Sequence, residues 1–104
     1  MDDPNQIEVP PSFLALYTSP MRRLTRPMAE VRDRYELCED LSQMLTDHPS
    51  TQDADDGASR RSVLGKLQLA LQGEASPVQQ DEAAWVIRRL AELLGWEPPE
   101  APAG

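Results

Sequence analysis

Apolar residues in this chain recur at helical rather than strand spacing. Met28, Val31, Tyr35, Cys38, Leu41 and Leu45 share one face when plotted at helical period, widened by Leu37 and Met44. Arg32, Asp33, Glu36, Glu39, Asp40 and Gln43 fall opposite. This pattern predicts a first helix from Met28 to about Thr46, with Pro27 near its start and His48-Pro49 ending it. A second, shorter stripe of Val63, Leu67, Ala70 and Leu71, with Leu64 at its margin, predicts a helix over Ser62–Gln72 that stops at Gly73. The third is the best marked. Ser76-x-x-Gln79 reads as a capping box with Pro77 at the first helical position, and Ala83, Val86, Ile87, Leu90, Ala91 and Leu94 form the buried stripe. Gly95 supplies a left-handed stop, after which Trp96 folds back on Leu90 and Ala91.

Thirteen leucines against seven valines and isoleucines, and no sustained alternation, favour helix over strand. The expected fold is all-α: a small three-helix bundle over residues 27–95, an extended N-terminal arm over 1–26 and a Pro-rich tail over 96–104. Asp47–Ala58, rich in Asp, Ser and Thr, reads as an acidic flexible loop within the bundle. The first helix has an apolar arc wider than two short partners cover. Leu37, Leu41 and Met44 are therefore expected to meet a second copy in a homodimer.

Composition narrows the chemistry. The formal charge is −8, from 18 acidic and 10 basic residues. That balance disfavours nucleic acid and anionic membrane, and no apolar run approaches the roughly 20 residues of a membrane span. One cysteine and an acidic start without a signal-peptide pattern point to a reducing cytoplasm. Arg22, Arg23, Arg26, Arg32 and Arg34 crowd one stretch, an asymmetry that suits a protein partner.

Catalytic and ligand sets do not assemble. Gly65-Lys66 has Arg60 and Leu67 where a phosphate loop needs Gly and Ser or Thr. Asp53-Ala54-Asp55-Asp56-Gly57 misses the register of a calcium loop. Cys38 and His48 are too few for zinc, and they read as a buried small residue and a helix-end residue. The expectation is a protein without catalytic, cofactor or metal sites, and not an enzyme.

Three stretches carry a resemblance: Ile7–Tyr17 (IEVPPSFLALY), Arg34–Leu41 (RYELCEDL) and Trp85–Trp96 (WVIRRLAELLGW). Together they resemble a family of short bacterial proteins labelled "ATPase with chaperone activity". With no phosphate loop in the chain, the resemblance implies association with a chaperone or protease machine rather than ATP hydrolysis. The leading functional expectation is therefore a non-enzymatic protein–protein interaction module, a small adaptor or regulator. Its expected partner-binding residues are Phe13, Leu16 and Tyr17 on the arm, and Trp85, Arg88 and Arg89 on the third helix. Trp85 lies off that helix's apolar stripe, and Trp and Arg dominate interface hot spots. The alternative is a helix-turn-helix-like transcription regulator that binds DNA, its second and third helices joined by Gly73–Ser76. Gln79 and Gln80 would face bases, but Asp81 and Glu82 would face phosphate.

Overall fold

The computed structural model describes residues 8–97. The fold is all-α: α1 (Pro11–Leu14), a 3-10 turn (Ala15–Tyr17), α2 (Met28–Leu45), α3 (Pro49–Asp53), α4 (Gly57–Leu71) and α5 (Gln80–Leu94). No strand occurs among the described residues; Thr18 and Leu24 form an isolated antiparallel bridge. The chain divides into two compact units within α2, between Leu37 and Cys38.

In the first unit the expected extended arm is instead helical from Pro11 to Tyr17. Pro11 sits at the first helical position, where its missing N–H leaves nothing unpaired. The amides of Phe13 and Leu14 both donate to the Pro10 carbonyl at 3.0 Å. That turn brings Phe13 against Tyr17, with ring centroids 5.7 Å apart, and against Tyr35 of α2 at 5.6 Å, edge to face. Such aromatic pairs add to what area burial supplies.

In the second unit Leu64 of α4 packs with Ile87, Leu90 and Ala91 of α5, and Leu45, Leu67, Leu71, Leu94 and Trp96 close around them. The end of α5 follows the sequence reading. Gly95 is left-handed at φ 70°, its amide donates to Glu92, and the Trp96 amide donates to Ala91 at 2.8 Å. These are the two bonds of a Schellman stop, and they deliver Trp96 to the core. Arg60 then lies over the Trp96 ring, 5.4 Å from its centroid.

Three local expectations are corrected. Helix α5 begins at Gln80, not Pro77. Gln79 is its cap, and its amide donates to the buried Glu82 carboxylate at 2.9 Å, while Ser76 Oγ accepts from the Val78 amide in a separate turn. Helix α4 begins five residues earlier than expected, because Asp56 caps it by accepting from the Ser59 amide at 2.7 Å. The segment read as a flexible loop contains α3. Its Thr51 hydroxyl is within reach of the Leu45, Thr46 and His48 carbonyls, and Gln52 Nε2 donates to Thr46 at 2.7 Å. Carbonyls left open at the end of α2 thereby find partners, which orders the chain that follows. Met44, which widens the apolar face of α2, is exposed in the single chain, and Ser42 takes a core position. The Ser42 hydroxyl donates to Cys38 O at 2.8 Å and faces Val86 O at 3.4 Å; its small side chain lets the backbones of α2 and α5 approach. Cys38, one turn away, is fully buried.

Candidate interaction site

The exposed feature with the most distinctive chemistry is a tight hairpin between the 3-10 turn and α2. The Ser19 amide donates to Arg23 O and the Arg22 amide to Ser19 O, both at 2.8 Å, and the Thr25 amide donates to Tyr17 O at 2.8 Å. Pro20 pre-sets the backbone for the second position of this turn. At its end Arg22 takes φ 62°, a left-handed conformation usually left to Gly or Asn. Thr18 Oγ1 donates to Leu14 O, and Thr25 Oγ1 donates to Tyr17 O, so both legs are tied to the helical segment before them.

Met21 stands at the tip and is 80 % exposed; Arg22, Arg23, Leu24 and Arg26 are exposed beside it. No acidic residue occurs from Val9 to Ala29, so the tip carries positive charge on a chain that is negative as a whole. Arg26 reaches Glu30 at 3.5 Å, an exposed pair that tethers the base of the hairpin only weakly.

The six residues expected to bind a partner are placed very differently from one another. Phe13 and Tyr17 are buried, Leu16 is half-buried and Trp85 is only 9 % exposed. Side chains so enclosed offer little area to a partner, which corrects the picture of Trp85 as an outward anchor. Arg89 gives its guanidinium to carboxylates. Its Nε and Nη2 donate to Glu39 Oε1 and Oε2 at 2.8 and 3.0 Å, and Nη1 donates to Glu92 at 3.2 Å. Those bonds raise the Arg89 pKa further, and the same bonds, with Gln43 also donating, hold Glu39 below the usual carboxylate range. Arg88 alone of the six is exposed.

His48 and Asp56, weighed above against zinc and calcium patterns, serve the backbone. His48 does not meet the carbonyls of α2 with its ring; its Nδ1 accepts from the Ser50 amide and caps α3. The Asp56 carboxyl lies below its ordinary pKa because the Ser59 amide donates to it. Among the described residues no group of three or more His, Cys, Asp or Glu is placed to hold a metal ion. No helix among them is long and apolar enough to cross a membrane. As a DNA-reading helix α5 is poorly presented. Seven of its fifteen residues are buried, Asp81 and Glu82 occupy its first turn, and the connection from α4 is longer than the short turn of a helix-turn-helix.

Comparison with protein-family models, with curated proteins and with solved structures gives no match. The hairpin was only partly visible in the sequence. The crowding of arginines was plain, but the exposure of Met21 and the backbone of Arg22 follow from the turn and not from any helical period.

Proposed function

We propose that this chain is a non-enzymatic protein–protein interaction module, a small adaptor or regulator that docks through the Pro20–Arg26 hairpin. The observation that carries the reading is an exposed Met21 flanked by exposed arginines on a turn whose Arg22 is held left-handed. An unbranched apolar side chain ringed by positive charge fits an acidic protein surface with an apolar slot. Backbone strain of this kind, about 1–3 kcal/mol, persists where the surrounding structure holds it, and it gathers at clamps and contact points. The helical scaffold on this reading is a small bundle, the setting is a reducing cytoplasm, and the resemblance of Ile7–Tyr17, Arg34–Leu41 and Trp85–Trp96 supports a chaperone or protease machine as the context.

The test compares the intact protein with a variant carrying Met21→Ala, Arg22→Glu and Arg23→Glu as bait in extracts of the native host. Proteins recovered by the first and lost by the second, with unchanged circular dichroism, are the expected result. Identical recovery by both baits overturns the hairpin reading. Calorimetric titration with Mg-ATP is expected to give no heat, and duplex DNA is expected not to shift even at low salt.

A further inference from the structure

A surface opposite in charge to the hairpin is present on this same chain. Between α3 and α4 lies an open concavity of about 520 Å3, lined by Ser50, Asp53, Ala54, Ala58, Ser59 and Val63 among others. Its lining mixes the small apolar Ala54, Ala58 and Val63 with the hydroxyls of Ser50, Ser59 and Ser62. Asp53 is part of its lining, and Asp55 and Asp56 follow in the connection from α3 to α4; all three are exposed. Residues 38–97 as a whole hold eleven acidic against five basic residues, whereas the stretch from Val9 to Ala29 holds three arginines and no acid. A basic knob with an apolar tip and an open, partly apolar depression with Asp53 in its lining are complementary in sign.

We infer that the chain self-associates, the Met21 tip of one copy entering the α3–α4 concavity of a second copy, with Arg22 and Arg23 facing Asp53 and Asp55. The inference rests on the hairpin being a docking element and names its occupant as another copy of this chain. Methionine suits such a site because it is unbranched and fills irregular space. The charges supply orientation and exclude the wrong register, since like charges set face to face cost several kcal/mol. Both surfaces are exposed to solvent, so the attraction is screened within a Debye length of about 8–10 Å and weakens as salt rises. Asp56 is left out of the contact pair because its carboxylate already caps α4.

The experiment is a charge swap read by sedimentation equilibrium. One variant carries Arg22→Glu and Arg23→Glu; the other carries Asp53→Lys and Asp55→Lys. All four positions are exposed, and circular dichroism verifies that each variant folds. The unaltered protein is expected to associate at tens of micromolar in low salt and to dissociate in high salt. Each variant alone is expected to associate at least about tenfold more weakly. An equimolar mixture of the two is expected to recover association, because every hairpin then meets a cleft of opposite sign. An unaltered protein that stays monomeric throughout overturns the inference and leaves the extract experiment to judge the hairpin. Association that ignores both swaps but yields to Met44→Glu also overturns it, and assigns the contact to the exposed side of α2.

Discussion

Replacing Glu39 by Gln tests the electrostatic tie between α2 and α5. The native carboxylate accepts two bonds from Arg89, at 2.8 and 3.0 Å, and a third from Gln43 Nε2 at 2.9 Å. A hydrogen bond to a charged partner contributes about 1.5–3 kcal/mol. Here the side chains are 33 % and 19 % exposed, so solvent screening lowers the expected loss to about 1–2 kcal/mol. For a chain of this size that is a fall in melting temperature of roughly 5–12 °C at neutral pH. The pH dependence carries the sharper information. Arg89 holds the Glu39 pKa below its unfolded value, so the folded protein binds this proton less readily than the unfolded chain. The stabilisation is therefore complete above the unfolded value of about 4.3 and is lost as pH falls through the lower folded value. The rest of the chain is common to both proteins, so the difference between native and Glu39→Gln melts reports on the cluster of Glu39, Arg89 and Glu92. The assay is thermal melting by circular dichroism from about pH 7 down to about pH 2. Equal melting temperatures at neutral pH, or a gap that stays constant into acid, would refute the reasoning.

Trp85→Ala is expected to destabilise the fold by about 3–5 kcal/mol, as for a large buried ring, and chemical denaturation reads it directly. An unchanged midpoint would return Trp85 to the surface. Two glycines of the second unit, Gly65 within α4 and Gly95 at the stop of α5, separate backbone from packing, since a methyl group at either meets nothing within 4 Å. Gly65→Ala in the body of α4 should stabilise by about 1 kcal/mol, whereas Gly95→Ala should destabilise by about 1–2 kcal/mol because its φ of 70° strains any side chain. Urea titrations of both variants showing shifts of the same sign would contradict that account.

What could be read from the sequence was what local chemistry alone decides. The stop at Gly95-Trp96 is a motif complete within six residues, and the structure reproduces it bond for bond. The start of the same helix reads in the sequence as Ser76-x-x-Gln79, and the backbone instead takes Gln79 as the cap, with Glu82 closing on its amide. Composition around Asp47–Ala58 pointed to a loop because it cannot register that Thr51 and Gln52 return to the carbonyls of α2. Trp85 was placed outward because a helical wheel presumes one buried face; α5 is enclosed on more than one, so a residue opposite the main stripe is still shielded. The same blindness hid Ser42, whose hydroxyl satisfies itself on Cys38 O and so costs little at a core position. Of the proposed docking hairpin, the charge was visible and the geometry was not.

The single thiol has a practical consequence. Cys38 is fully buried, and it is the chain's one cysteine, so no other sulfhydryl competes for a modifying reagent. Alkylation can proceed only during moments when the surrounding packing lets go, and its rate therefore clocks those openings. Labelling kinetics followed by mass spectrometry, at increasing urea, would separate breathing near the middle of α2 from global unfolding without any added probe. The native protein carries its own hydrogen-exchange analogue, a one-site stopwatch set in its longest helix.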